Sequence, residues 1–121
     1  MPRIADYTII ADAWVVKTTG ESIEFQVPDN VNVGARSILG FMIDVNNNGE
    51  LDIKIRLNGT QVWNWHYSDF SRLPVRYFQE VIGGGVLKPG TNVFRLTGDG
   101  PTDDKFFVQI SDAVLWMQVD I

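Results

Sequence analysis

Apolar and polar residues alternate at every second position through much of this chain. The clearest run is 51–57, LDIKIRL, in which four aliphatic residues alternate with three charged ones. This alternation is typical of an antiparallel strand with one face on a core and the other in water, and it would scatter the apolar side chains around a helix. The run 21–27 alternates in the same way. The segment 37–45 is more continuously apolar, which predicts a central strand covered on both faces.

Clusters of turn-forming residues separate these runs. Asn58-Gly59 is the strongest hairpin signal, because both residues tolerate the positive φ of a type I′ turn. Further clusters of Gly, Pro, Asn, Asp or Thr lie at 19–20, 28–30, 46–49, 83–85, 88–90 and 98–101. The chain is therefore predicted to form about eight short strands in one antiparallel β-sandwich domain that spans residues 1–121.

The two ends of the chain supply the opening and closing strands. Residues 7–17 predict one or two opening strands, and 105–121 predict one or two closing strands. Ser111-Asp112 is expected to form a bulge or a turn within the closing segment. Trp14 and Trp116 lie in these terminal segments and are expected in the core or at a sheet edge.

Composition excludes several classes of site. The chain has no cysteine, so it forms no disulfide, thiolate nucleophile or metal site built on sulfur. His66 is the only histidine, which excludes a multi-histidine metal site within one chain. The net charge is −5, and such a chain lacks the positive field that supplies most nucleic-acid affinity, so nucleic acid is not expected as a partner.

Neither a membrane span nor a targeting segment is evident. The longest apolar runs, 38–43 and 113–117, are far too short to cross a bilayer. Residues 1–4 are not followed by an apolar stretch with a small-residue cleavage site, so no signal peptide is expected. No membrane insertion is therefore expected, and the cellular compartment is left open.

The order of features from residue 51 onwards resembles a known family. A Leu57-Asn58-Gly59 hairpin is followed by an aromatic strand at 77–82, by the segment 87–92 (LKPGTN) and by a closing strand at 109–116 (QISDAVLW). This order is similar to that of the galactose-binding-domain-like jelly roll, which occurs in carbohydrate-binding modules. The resemblance implies a jelly-roll β-sandwich, and it implies sugar binding only as the commonest use of that fold.

An aromatic cluster at 63–67 is the strongest candidate for a binding site. On a strand, Trp63, Trp65 and Tyr67 share one face, and Asn64 and His66 share the other. Aromatic rings stack on the C–H faces of sugars, and polar neighbours fix the orientation of a ligand. The same residues would also suit core packing or a subunit interface, and the sequence leaves all three interpretations open.

The segment 44–52, DVNNNGELD, matches the first half of an EF-hand loop. Position twelve of such a loop should supply a bidentate Glu but is Ile55, and the residues that follow alternate as a strand where an EF-hand needs a helix. A polar loop between strands is therefore expected. Asp44, Asn46 and Asn48 are weak candidates for a structural calcium ion, and no other cofactor is expected.

Catalysis is not expected. Ser68, Asp69 and Ser71 lie near His66 in sequence, but adjacent positions on a strand point to opposite faces, so proximity gives no triad geometry. The chain has no nucleophile elbow of the G-x-S-x-G type.

The sequence thus predicts a non-catalytic, lectin-like carbohydrate-binding module whose partner is a carbohydrate or glycoconjugate. The predicted ligand-binding residues are Trp63, Trp65, His66, Tyr67, Asp69, Arg72 and Arg76. The alternative is a structural or assembly protein in which the aromatic cluster forms a homo-oligomer or another protein–protein interface.

Overall fold

Eight antiparallel strands make up the regular structure of the computed structural model, which describes residues 3–45, 50–67, 75–99 and 107–121. The strands are β1 (Arg3–Val16), β2 (Gly20–Val27), β3 (Ser37–Val45), β4 (Leu51–Leu57), β5 (Thr60–Tyr67), β6 (Arg76–Ile82), β7 (Gly90–Asp99) and β8 (Val108–Asp120). None of the described residues belongs to a helix long and apolar enough to cross a membrane.

The strands form two four-stranded sheets. The first has the order β1-β8-β3-β6 and the second the order β2-β7-β4-β5. Apart from the β4–β5 hairpin, sequential strands alternate between the sheets, and the first strand pairs with the last; this order is that of an eight-stranded jelly roll. The predicted jelly-roll β-sandwich is confirmed.

The core lies between the two sheets and follows the alternation in the sequence. In β4 the four aliphatic side chains are fully buried, whereas Asp52 is exposed and Lys54 and Arg56 are partly exposed. The strand β2 behaves in the same way, with Phe25 and Val27 buried and Gln26, which lies between them, exposed. Burial of apolar surface from both sheets is the main term that stabilises the sandwich.

The opening and closing strands are each continuous. β1 pairs with β8 from Arg3↔Asp120 to Val16↔Val108. The register of this pairing shifts between Ile9 and Ala11, but β1 continues as one strand. In β8, Asp112 has a φ of 49° beside a register shift against β3, so the interruption predicted at Ser111-Asp112 is a bulge.

The β4–β5 hairpin has the turn that its sequence predicts. Asn58 and Gly59 have φ values of 51° and 84°, as a two-residue type I′ turn requires. The Asn58 side chain also leaves the hairpin: its Nδ2 donates to the carbonyl of Val86 at 2.9 Å and to Oδ1 of Asn92 at 2.7 Å. These two contacts fasten the hairpin tip to the segment that precedes β7 and to the start of β7.

Candidate functional site

The structure places Trp63 and Tyr67 of the predicted ligand set in the core. Trp63 is 6% exposed and Tyr67 is 2% exposed. Trp63 packs edge-on against Phe41 of β3 and Phe78 of β6, with ring centroids 5.0 and 5.1 Å apart. Because β5 and β6 are edge strands of different sheets, this cluster closes one side of the sandwich, and neither Trp63 nor Tyr67 offers a ring face to a ligand.

Trp65 and Arg76 are the members of that set that meet at the surface. Trp65 is partly buried against Phe78, at a centroid distance of 5.1 Å. The guanidinium carbon of Arg76 lies 5.8 Å from the centroid of the Trp65 ring, within the range of a cation–π contact. Asp69 and Arg72 lie outside the described residues, so a ligand role for the set as a whole stays a prediction.

His66 points to the opposite side of β5 and meets carboxylates there. Its Nδ1 lies 2.6 Å from Oδ1 of Asp52, directly opposite on β4, and its Nε2 lies 3.8 Å from Oε2 of Glu50. All three side chains are more than half exposed. The hydrogen bond to Asp52, aided by the two negative charges, raises the pKa of His66 above its ordinary value of 6.5.

This pKa shift gives a pH-dependent contribution to stability. Because the folded-state pKa is raised, the stabilisation is fully present below pH 6.5 and is lost as the pH rises through the folded pKa. We expect an NMR titration of the His66 ring to give a folded pKa above 6.5, and Asp52→Asn to lower that pKa by more than Glu50→Gln does. A wild-type pKa at or below 6.5 would contradict the ion pair.

The structure leaves the calcium prediction untested. Asp44 is partly buried near the end of β3, and Asn46 and Asn48 lie outside the described residues. Within the described ranges, no three His, Cys, Asp or Glu side chains are grouped so that they could hold a metal ion. Calcium at 44–48 therefore remains a prediction from the sequence.

A second candidate site lies on the solvent side of the β1-β8-β3-β6 sheet. We call this surface the outer face and define it by seven apolar or aromatic side chains that are at least a third exposed: Tyr7, Ile9, Ile38, Met42, Tyr77, Val81 and Trp116. The register places Tyr7, Trp116, Ile38 and Val81 in one row across all four strands. Large contiguous patches of exposed apolar surface are typical of ligand-binding and protein-binding surfaces, so the outer face is a candidate site.

Gly40 shapes the centre of the outer face. It lies in the next row, opposite Val114 on one side and Gln79 on the other. A Cβ at this position would collide with the Tyr77 hydroxyl and would lie 2.8 Å from Cζ3 of Trp116. The missing side chain therefore lets the two aromatic rings lie low over the sheet, and Gln79 Nε2 donates a hydrogen bond to Tyr77 Oη at 3.2 Å.

A depression of about 150 Å³ adjoins Trp116 on the outer face. We call it the Trp116 depression; it is lined by Ala5, Arg36, Ser37, Ile38, Trp116, Met117 and Gln118. Oε1 of Gln118 accepts a hydrogen bond from Arg3 at 3.2 Å, which holds the amide in place and leaves its N–H groups to donate elsewhere. An aromatic wall, an amide and a guanidinium thus meet at one opening.

The sequence predictions for this sheet were wrong in two respects. The strand at 37–45 was expected to be covered on both faces, but Ile38 and Met42 are 41% and 38% exposed. Trp116 was expected in the core or at an edge, but it is 37% exposed on an interior strand. The sequence signal for the outer face was the presence of apolar residues on both sides of the strand at 37–45.

Comparison with known proteins gives matches of fold alone. No protein-family model and no curated protein matches the sequence. The dimeric latent PorU of Porphyromonas gingivalis matches with a TM-score of 0.78 and 9% identity, and the match covers 99% of this chain and 13% of PorU. The CBM36-1 domain of a multidomain xylanase from the hindgut metagenome of Trinervitermes trinervoides matches at 0.55 and 8% identity, over 96% of this chain and all of that domain. The EclA C-terminal domain, a sugar-binding protein, matches at 0.52 and 6% identity, over 95% and 79% of the two chains.

Proposed function

We propose that this chain is a non-catalytic carbohydrate-binding module whose glycan lies on the outer face. The observation that carries the proposal is Trp116, which is 37% exposed, lies between Tyr7 and Ile38 in one row, and borders a depression with polar groups at its rim. Aromatic and apolar surface with a few fixed polar groups is the usual composition of a small-ligand site. Two of the similar structures, a xylanase module and a sugar-binding domain, support this use of the fold.

The row across the sheet suits an extended ligand. Four strands spaced about 4.8 Å apart give the row from Tyr7 to Val81 a length of roughly 14 Å. Gln118 and Gln79 flank that row and provide amide donors and acceptors beside the aromatic rings. A chain of sugar rings lying across the strands would therefore meet apolar and polar groups in turn.

The arrangement around His66 gives no support to catalysis. Its two ring nitrogens face the carboxylates of Asp52 and Glu50, so the ring has an orienting acid but no hydroxyl nucleophile among the described residues. All three groups lie on an exposed sheet surface and not in a cleft that excludes water. We therefore propose binding without turnover.

A glycan array with wild type and two matched tryptophan variants tests the proposal. Trp116→Ala removes the exposed indole of the outer face, and Trp65→Ala removes the partly buried indole of the set predicted from sequence. We expect Trp116→Ala to weaken glycan binding by at least tenfold, which corresponds to about 1.4 kcal/mol. Trp65→Ala should keep the wild-type selectivity in its folded fraction.

Each other outcome has a defined meaning. If the folded Trp65→Ala protein loses binding and Trp116→Ala keeps it, the site belongs on β5, as predicted from sequence. If wild type binds no glycan on the array, carbohydrate recognition is the wrong function. Circular dichroism of each variant establishes that loss of binding is not loss of fold.

The second candidate function is assembly through the same surface. Tyr7, Ile9 and Val81 are 60%, 54% and 63% exposed, so large apolar side chains of the outer face lie in contact with solvent. A homo-oligomer that buries the outer face would explain this exposure. Sedimentation discriminates the two functions: a dimer that dissociates on Val81→Lys favours assembly, and a monomer that binds glycan favours the module.

A further inference from the structure

The only guanidinium that lines the Trp116 depression has no partner among the described residues. Arg36 is exposed there, and its side chain makes no hydrogen bond or ion pair within the described ranges. The other arginine of this region, Arg3, is engaged: it donates to Gln118 at 3.2 Å and lies 3.9 Å from Asp120. The depression therefore holds one uncompensated positive charge on a chain whose net charge is −5.

The placement of this charge limits the ligand chemistry. Ile38 and Trp116 are cross-strand neighbours and share the depression with Arg36, so a ring on the apolar surface would lie beside the guanidinium. A guanidinium presents two parallel N–H donors that match the two oxygens of a carboxylate or of a sulfate ester. The fixed amide of Gln118 can donate to a neutral oxygen of the same ring.

This inference rests on the proposed function. We propose that the preferred ligand is an acidic glycan, in which a sugar ring stacks on Trp116 while its anionic substituent pairs with Arg36. An uncharged sugar would leave Arg36 solvated and gain only the stacking contact. An acidic ring gains a charge-assisted hydrogen bond in addition, and such bonds are about twice as strong as neutral ones. Selectivity for acidic over neutral sugars is therefore set at one residue.

The test compares three probes that share a sugar ring. The array carries galacturonic acid oligomers, the methyl esters of these oligomers, and sulfated galactose oligomers. The methyl esters have the same ring as the acids but no charge. Wild type is measured beside Arg36→Gln, Arg36→Lys and the control Lys88→Gln, which removes one exposed positive charge outside the outer face. We expect wild type to prefer an anionic probe over the methyl ester by about tenfold, and to lose this preference in Arg36→Gln.

The variants and the salt dependence complete the test. Arg36→Lys should retain part of the preference, because the charge remains but the paired donors are lost. Lys88→Gln should match wild type, and added salt should reduce anionic binding and leave neutral binding unchanged. The anionic probe that binds identifies the substituent as carboxylate or sulfate.

Failure of this inference is distinct from failure of the proposed function. If methyl esters and acids bind equally well and both are lost in Trp116→Ala, the outer face binds glycans but Arg36 does not select them, and the inference is overturned. If Lys88→Gln loses the preference as fully as Arg36→Gln, net charge and not Arg36 is responsible, and the inference is also overturned. If no glycan binds at all, the proposed function itself is overturned.

Discussion

Replacing Trp63 with alanine is expected to lower the free energy of unfolding by about 3–5 kcal/mol. The ring is 6% exposed and lies 5.0 Å from Phe41 and 5.1 Å from Phe78, measured between ring centroids. The substitution removes most of a large apolar surface from the core, leaves a cavity, and deletes two edge-to-face ring contacts worth about 0.5–1.5 kcal/mol each beyond area burial. A domain of this size has about 5–15 kcal/mol in total, so the variant is expected to be only marginally folded.

Urea denaturation followed by tryptophan fluorescence and circular dichroism measures this loss. The matched control is Tyr7→Ala, which also removes a large aromatic ring, but one that is 60% exposed on the outer face. Tyr7→Ala should change the free energy of unfolding by no more than about 0.5 kcal/mol. If Trp63→Ala unfolds at the wild-type urea concentration, the aromatic cluster does not close the sandwich as described.

The β-sandwich class and the approximate number of strands could be predicted from the sequence because local patterns indicate them. The alternation at 51–57 requires one buried face, and Asn58-Gly59 adopts the positive φ values that only a few residues accept. What local pattern could not settle was whether 7–17 forms one strand or two. The pairing of β1 with β8 along its whole length settles it, and that pairing joins residues more than a hundred positions apart.

The candidate site was less predictable, because the sequence does not show which face of a sheet is covered. An aromatic residue at an alternating position has the same sequence signal whether its face is covered or open, so Trp63 and Trp116 look alike in the chain. Only the packing of the two sheets distinguishes them, because it places Trp63 inward between β5 and β6 and Trp116 outward between β1 and β3. Arg36 carried no sequence signal at all, since it precedes a strand and becomes notable only beside Trp116.

Asn92 is the last residue of the segment 87–92 (LKPGTN), and the structure shows which contacts its side chain makes. Its side chain is fully buried and makes four hydrogen bonds. Nδ2 donates to the carbonyls of Lys88 and Gly90 at 2.7 and 3.0 Å, and Oδ1 accepts from the backbone N–H of Lys88 at 3.1 Å and from Nδ2 of Asn58 at 2.7 Å. The residue therefore ties the turn at 88–90 to the tip of the β4–β5 hairpin.

Replacing Asn92 with alanine is expected to cost about 3 kcal/mol of unfolding free energy, because a buried polar group left without its partner costs roughly 1–3 kcal/mol. Asn92→Asp is the sharper variant, since it keeps the size and the accepting oxygen but turns the donor into a second acceptor that faces the carbonyls of Lys88 and Gly90. Gln26→Ala is the matched control: it deletes an exposed amide that donates to Thr91 Oγ1 at 2.9 Å, and it should cost no more than about 0.5 kcal/mol.

Denaturant titrations at neutral and acidic pH measure the free energy of unfolding of all three variants. Asn92→Asp should lose at least as much as Asn92→Ala at pH 7 and recover part of that loss, relative to wild type, when the carboxyl is protonated and can donate again. A deficit that does not change with pH would mean that the two donated bonds do not stabilise the turn.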